Sequence, residues 1–127
     1  MNKRILITAS ILGLLAVVLG AFAAHGLENK LDMGSIESFK TGVRYQMYHA
    51  ILLLFVANTS YLSTKSKNFI CWLVLLGLIL FSGSIYGLST QGISGINFKS
   101  IGFITPIGGL LLLVSWLVML INFVKIK

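Results

Sequence analysis

Stretches without charged side chains constrain the fold of this chain more than any other feature of its sequence. Lys, Arg, Asp and Glu are absent from residues 5–24, 50–63, 69–90 and 100–124. A helix that crosses a membrane needs roughly 20 consecutive, mostly apolar residues. Three of the stretches have that length, and the second reaches it only if its helix begins near Val43. The chain is therefore expected to fold within a lipid bilayer.

The composition agrees with a membrane environment. Hydrophobic residues make up 57% of the chain and charged residues 10%, whereas a soluble domain has about 25% charged residues. The net charge of +7 comes from cations that are spread over both ends and all connections. Because they form no basic block, we expect no nucleic-acid partner. The single cysteine, Cys71, can form no intrachain disulfide and is expected to be a packed thiol.

These runs predict an all-α fold, a bundle of four transmembrane helices in a single membrane domain that spans residues 1–127. The helices are expected at approximately 4–25, 43–62, 69–89 and 101–124. The start "MNKR", an apolar run and "AFA" imitate a secretory signal. The apolar run is longer than the 7–15 residues of a usual signal, so we expect a retained first helix. No internal repeat appears.

The distribution of Lys and Arg predicts the orientation. With four spans, both termini and the second connection lie on one side of the membrane and carry six cations, against four on the other side. Cytoplasmic segments are enriched in Lys and Arg. Both termini are therefore expected in the cytoplasm of a multi-pass plasma-membrane protein. The six cations are Lys3, Arg4, Lys65, Lys67, Lys125 and Lys127.

Small residues at four-residue spacing predict where helices approach each other closely. Helix one has Ala9 and Gly13, then Ala16, Gly20 and Ala24, and helix three has Gly83 and Gly87. In the connections, Ser35 is expected to cap a short surface helix before the second span. Ile96 and Phe98 are expected to dip into the lipid interface.

Polar residues interrupt the second span in "GVRYQMYHAILLLF", residues 42–55. At 100° per residue, Tyr45, Gln46 and His49 face the bundle interior, whereas Arg44 and Tyr48 face the interface. Other polar residues fall in the same half of the bundle on the remaining helices. The resulting candidate ligand-binding residues are His25, Tyr45, Gln46, His49, Ser82, Tyr86 and Thr105.

Each histidine has a functional and a structural interpretation. An ionisable residue within a span is a functional-site hypothesis by default, but polar groups also hold helices together by about 0.6 kcal/mol per pair. His49 is open to structural hydrogen bonding, to ligand or proton handling, and to metal or haem ligation. His25, followed by Gly26, is open to a capping role at the end of its helix.

Enzymatic activity is not expected. No span contains a carboxylate, so a paired-carboxylate mechanism has no residues to use, and no nucleophile elbow is present. Two histidines without a neighbouring Cys or carboxylate are a poor zinc site. They suit axial haem ligation in a bundle, although nothing in their spacing requires it. No catalytic residue, metal ligand or cofactor is therefore assigned.

Four motifs in this order, "GAFAAHGL", "YQMYHA", "FSGSIYGL" and "TPIGG", resemble the family of small membrane proteins called domain of unknown function 423, or UPF0382. The resemblance covers nearly the whole chain. The family usually has Gly where this chain has Ala23, a small-for-small change. The resemblance implies a four-helix integral protein of the bacterial plasma membrane, and it implies no activity, substrate or catalytic residue.

Three hypotheses about function follow from these observations. The first is binding or conduction of a small ligand or ion in a polar pocket lined by His25 and His49, near the non-cytoplasmic side. The second is an accessory or assembly subunit whose small-residue helix faces dock another membrane protein or a second copy. The third is a bis-histidine haem or copper site.

Overall fold

The computed structural model describes residues 2–27, 29–95, 97 and 101–127 of the chain. Within these residues the structure is helical and contains no strand, which confirms the all-α class. Ile96 and Phe98, expected at the lipid interface, lie outside the described residues. The helices are α1 (Asn2–His25), α2 (Met33–Asn58), α3 (Thr64–Ser89), α4 (Gln91–Ser94) and α5 (Ile104–Val124).

Three of these helices, α1, α3 and α5, are long and apolar enough to cross a membrane. Helix α2 has 26 residues, which is about 39 Å at 1.5 Å per residue. It does not join that group because its hydropathy is lowered by polar side chains such as Arg44, Gln46 and His49. Its length alone suffices for a span, but its composition differs from that of the other three.

Helix α2 begins at Met33, well before the expected start at Val43. Asp32 is its N-cap and accepts a hydrogen bond from the backbone N–H of Ser35, as capping carboxylates do for orphan amide groups. The expectation of a Ser35 cap and a separate surface helix was therefore wrong. One continuous helix carries the chain from the polar connection into the bundle.

A short turn joins α2 to α3. Ser63 caps α3 through the backbone N–H of Ser66. Lys67, only 7% exposed, donates from Nζ to the carbonyl of Ala57 at the end of α2. A cation at that position satisfies a free carbonyl and complements the negative end of the helix dipole. The lysine thus holds the two helix ends together.

Successive long helices pack antiparallel in an open order: α1 on α2, α2 on α3, and α3 on α5. The terminal side of the molecule contains the first residues of α1 and α3 and the last residues of α2 and α5. The distal side contains the opposite ends and α4. Since α1 and α3 barely touch each other, a groove remains between them along one flank of the bundle.

Close helix contacts rely on small residues, as expected for association in lipid. Ala9, Ala16 and Ala23 are buried on α1, which confirms its small-residue face, although Ala24 is exposed. On α3 the close contact is at Gly77, where an added Cβ would lie 3.1 Å from the carbonyl oxygen of Gly108. Gly83, one of the expected contact residues, is exposed instead.

The main apolar core lies where α2 and α3 meet the inner faces of α1 and α5. Leu53, Val56, Ile70 and Val74 are fully buried there. A smaller cluster of Ala23, Leu27 and Phe39 closes the distal side between α1 and α2.

Pro106 lies in the first turn of α5, which begins at Ile104. The first four N–H groups of a helix have no partner within the helix, so the proline removes no hydrogen bond. The residue at the cap position is Phe103.

Candidate functional site

The structure does not bring the two histidines together. Gly13 of α1 faces Ala50 of α2, because a Cβ built at Gly13 would lie 3.8 Å from the Ala50 Cβ. His49 precedes Ala50, whereas His25 lies twelve residues beyond Gly13, about 18 Å along the helix. His25 is exposed at the end of α1. The expectation that His25 and His49 line one pocket is therefore corrected.

Gln46 connects three helices. Its Nε2 donates to the carbonyl of Leu12 on α1 over 2.8 Å. Its Oε1 accepts from the Tyr86 hydroxyl on α3 over 2.6 Å. Gln46 is 5% exposed, so both bonds form away from solvent, where an unpaired amide would be costly.

His49 has a partner on each ring nitrogen. Trp116 of α5 donates from its indole N–H to Nε2 over 3.2 Å. An indole nitrogen only donates, so Nε2 must be the acceptor and Nδ1 must carry the proton. Nδ1 then donates to the carbonyl of Tyr45 over 2.7 Å. This tautomer is assigned from the hydrogen-bond network, and it makes the imidazole neutral and fully bonded.

Hydroxyl groups complete the interior contacts. Ser82 donates to the carbonyl of Gly42 over 2.8 Å and is 1% exposed. Ser84 and Thr105 share a hydrogen bond between α3 and α5. Gly42 permits the first contact, because a Cβ there would lie 2.8 Å from the Tyr86 ring. We call Gln46, His49, Ser82, Tyr86 and Trp116, with their bonds, the polar lock.

The buried polar atoms of the lock are all hydrogen-bonded. Among the described residues, every buried side-chain nitrogen or oxygen atom has a partner. Gln46, Ser82 and Tyr86 also line a volume of about 220 Å³ between α1 and α3, but their polar side-chain atoms are hydrogen-bonded within the protein. The lock is therefore suited to fixing the positions of α1, α2, α3 and α5.

Tyr45, Tyr48 and Arg44 lie outside the lock. Tyr45 is 40% exposed and packs against the Phe81 ring, with ring centroids 5.0 Å apart. Tyr48 and Arg44 are exposed, and Arg44 pairs with Glu37 at 3.5 Å. Arg44 and Tyr48 face outward as expected. The expectation that Tyr45 faces the bundle interior was wrong, because its side chain is exposed and only its carbonyl takes part in the lock.

Two partners in the lock were missed by sequence reasoning. Trp116 carries a signal, because an indole N–H within an apolar helix needs an acceptor and His49 is a natural one. The Leu12 carbonyl carries no signal in the sequence. A carbonyl within a helix accepts a second hydrogen bond, from Gln46 in this case, only where another helix approaches its backbone closely. Gly13, next to Leu12, permits that approach.

An open volume lies just beyond the lock on the distal side, between the first turns of α2, the end of α3 and the start of α5. It measures about 480 Å³. Its wall presents a carboxylate and several hydroxyls above an apolar floor. We call it the distal cleft; its lining residues are Asp32, Gly34, Ser35, Ser38, Ile85, Leu88, Ser89 and Thr105.

Asp32 is the one charged residue that lines the distal cleft. The side chain and backbone N–H of Ser35 hold the pKa of the Asp32 carboxyl below its ordinary value of 3.8. The carboxylate is therefore ionised at neutral pH. Because a carboxylate has about four acceptor positions, its bond to Ser35 leaves capacity for a ligand.

Metal binding receives little support from the geometry. Within the part of the chain that the structure describes, no three His, Cys, Asp or Glu side chains are grouped around a point. Both nitrogens of His49 are engaged and His25 is far along α1. A bis-histidine haem or copper site would need both rings at one centre, and the positions of His25 and His49 do not provide that.

Apolar helices that can cross a bilayer and an interior held by interhelical hydrogen bonds define a multi-pass helical membrane protein. The family model described as protein of unknown function DUF423 matches residues 19–109. The chain belongs to this family, as the four sequence motifs predicted.

Curated relatives support the same assignment. A UPF0382 membrane protein of Staphylococcus saprophyticus is 40% identical over 98% of this chain and 99% of its own length. One from Bacillus subtilis is 42% identical over 97% of this chain and 98% of its own. A relative from Haemophilus influenzae is 38% identical over 92% of this chain and 90% of its own. No solved structure matches the chain.

Proposed function

We propose that this protein is a non-enzymatic, four-span membrane protein that binds a small cation or polar ligand in the distal cleft. The observation that carries the proposal is the cleft itself, an open volume of about 480 Å³ with Asp32 and hydroxyl groups on its walls. A carboxylate with several hydroxyl oxygens suits a cation or a hydrogen-bonding ligand. Thr105 is the candidate residue from the sequence that also lines this cleft.

The proposed topology has four spans, with both termini in the cytoplasm. Helix α2 is packed between α1 and α3, which supports its assignment as a fourth span. Its charged residues, Glu37, Lys40 and Arg44, lie in its first half, toward the distal side. The terminal side carries six of the ten cations, and the bias of Lys and Arg toward the cytoplasm orients that side inward.

The polar lock has a different role in this proposal. Its residues fix the helices on which the cleft is built, and a separate hydrogen bond from Ser84 to Thr105 joins α3 to α5 where Thr105 lines the cleft. Gln46, His49, Ser82 and Tyr86 are therefore structural residues that support the site. The cleft is exposed to the distal side, which favours binding over conduction through the membrane.

Ligand-induced thermal stabilisation tests this proposal. The purified chain is heated in the presence of Na⁺, K⁺, Mg²⁺, Ca²⁺, choline or ethanolamine, and its unfolding temperature is followed. We expect at least one of these to stabilise the protein, and Asp32→Asn to reduce the effect. Glu37→Gln is the matched control, because it removes an acid from the same part of α2 that does not line the cleft. Equal responses of the two variants would contradict the proposal.

An accessory role is the second candidate function. Helix α1 packs mainly on α2, and its outer face exposes Leu14, Val17 and Val18 by 65%, 61% and 56%. This face can receive a helix of another membrane protein or of a second copy. Crosslinking in native membranes from cysteines on this face tests the role: a reproducible heterologous product supports it, and lipid-facing cysteines without any protein product contradict it.

A further inference from the structure

The groove between α1 and α3 opens on the terminal side and shares no lining residue with the distal cleft. Near the helix starts it forms an open volume of about 400 Å³ whose lining includes Arg4, Asn68 and Trp72. Farther in it continues as a volume of about 220 Å³ whose lining is mostly aliphatic, with Gly83 at its far end. Gln46, Ser82 and Tyr86 of the polar lock also line this volume, and their polar atoms are bonded within the protein. Leu75 lines both volumes, so they form one continuous groove.

The groove changes from polar to apolar along its length. Arg4 and Asn68 lie at the mouth, Trp72 is 62% exposed just inside it, and mostly aliphatic side chains follow. This order matches a phospholipid, which has a charged headgroup, an interfacial region and an acyl chain. Tryptophan is the residue that prefers the boundary between headgroup and hydrocarbon.

The charge at the mouth is positive and unneutralised. Among the described residues, the salt bridges both involve Glu37, which lies far from Arg4 on the distal part of α2. Lys67 is already engaged with the Ala57 carbonyl, so Arg4 is the cation that faces the groove. A guanidinium binds phosphate through two parallel hydrogen bonds.

The length of the groove matches one leaflet of a bilayer. Trp72 and Gly83 are eleven residues apart on α3, which is about 16 Å. Half of the hydrocarbon thickness is about 15 Å. Gly83 faces open space, since a Cβ built on it has only the Leu78 carbonyl oxygen of its own helix within 4 Å, at 4.0 Å. An acyl chain that starts at Trp72 would therefore end beside Gly83.

We propose that the α1–α3 groove binds one anionic phospholipid from the leaflet on the terminal side, with its phosphate at Arg4 and Asn68 and an acyl chain along Leu75 and Leu15 to Gly83. The lipid would fill the space that the open order of the helices leaves between α1 and α3. It would thereby add contacts between two helices that otherwise barely touch.

Native mass spectrometry of the purified full chain in a mild detergent tests this site, with phosphatidylglycerol and phosphatidylcholine as probes. We expect one phosphatidylglycerol retained per chain and weaker retention of phosphatidylcholine. Arg4→Gln should lower the apparent affinity for phosphatidylglycerol about fivefold, the equivalent of about 1 kcal/mol. Lys3→Gln is the matched control and should leave it unchanged, because Lys3 lines a different surface of α1.

Gly83→Leu tests the acyl end of the groove without changing any charge. The added side chain enters open space, so the protein should fold, while retention of phosphatidylglycerol should fall at least threefold. Equal losses in Arg4→Gln and Lys3→Gln would overturn the site in favour of diffuse surface charge. Unchanged retention in both Arg4→Gln and Gly83→Leu would also overturn it. The lipid site would also be overturned if the wild type formed a dimer that Gly83→Leu dissociates while lipid retention stays unaltered. In that case a second chain, and not a lipid, would fill the groove.

Discussion

The polar lock and the distal cleft are built from similar side chains on the same helices, yet they differ in what surrounds their polar atoms. In the lock, Ser82 and Gln46 meet protein partners within 2.8 Å. In the cleft, Ser38 is exposed and Asp32 borders an open volume. The separation of the helices causes the difference, because glycines allow close approach at the lock, whereas α3 ends at Ser89 beside the cleft.

Backbone approach decides whether a polar residue in a bundle joins helices or serves a site. Gly42 admits the Tyr86 ring, and Gly108 admits the backbone of α3. Both contacts lie inward of the cleft. Changes that widen the lock or close the cleft should therefore separate the roles of the two regions.

Gly108→Ala should have the largest effect, because it pushes α3 and α5 apart directly below the cleft. The new Cβ would lie 2.6 Å from the Leu80 carbonyl carbon and 2.8 Å from the Gly77 oxygen, and overpacking typically costs 1–3 kcal/mol. We expect a loss of about 3 kcal/mol in the free energy of unfolding, measured by denaturant titration in detergent. Gly83→Ala, which enters open space, should be neutral or stabilising by up to about 1 kcal/mol. Similar losses in both variants would refute the close crossing.

Tyr86→Phe should weaken the lock by about 1 kcal/mol, because Gln46 Oε1 loses its donor in the interior. Tyr48→Phe is the matched control, since Tyr48 is exposed, and it should change stability by less than about 0.3 kcal/mol. A double-mutant cycle with Gln46→Ala should show that the two losses are not additive. Additive losses would mean that the bond contributes nothing.

These lock residues show how much the sequence could predict. The helical class, the small-residue face of α1 and the inward direction of Gln46 and His49 follow from run length, spacing and 100° periodicity. The partners do not, because the Leu12 carbonyl has no side-chain signature. The His25–His49 pairing failed because α2 extends back to Met33, which places His49 deep in the bundle, whereas His25 remains at the end of α1.

The cleft was predictable only in part. Thr105 was selected because it opens a helix on the correct side, but Asp32 and Ser38 were not, since they were assigned to a polar connection outside the span. Their position follows from one continuous helix that begins at the Asp32 cap. A capping carboxylate at the start of a long helix is a local signal that could have revealed it.

Thr105→Val should have a smaller effect than the lock variant. It removes the hydrogen bond to Ser84 at similar side-chain volume, and interhelical pairs in membranes average about 0.6 kcal/mol. We expect a stability loss of that size together with weaker ligand stabilisation, because the residue lines the cleft. Ser115→Ala, which removes a bond within α5, should leave ligand stabilisation unchanged. An equal reduction in both variants would contradict a cleft-specific role.

Acidification should have the smallest effect and should act through the cap. The folded-state pKa of Asp32 lies below its ordinary value of 3.8, so its contribution to stability is present above that pH and is lost as the pH falls below it. Thermal unfolding between pH 6 and 3 should show a slight additional decrease in the wild type that Asp32→Asn lacks, because asparagine caps without titrating. A pH profile of Asp32→Asn identical to that of the wild type would contradict this linkage.

The most direct test of the difference between lock and cleft is the water accessibility of cysteines placed in each. Cys71→Ser provides a background without cysteine, and Ser→Cys changes at Ser35 and Ser38 sample the cleft, while those at Ser82 and Ser115 sample the interior. A membrane-impermeant maleimide added from the distal side should label the first pair rapidly and the second pair hardly at all. Comparable labelling at Ser82 and Ser38 would show a water-filled interior and would contradict the account of a dry polar lock below an open site.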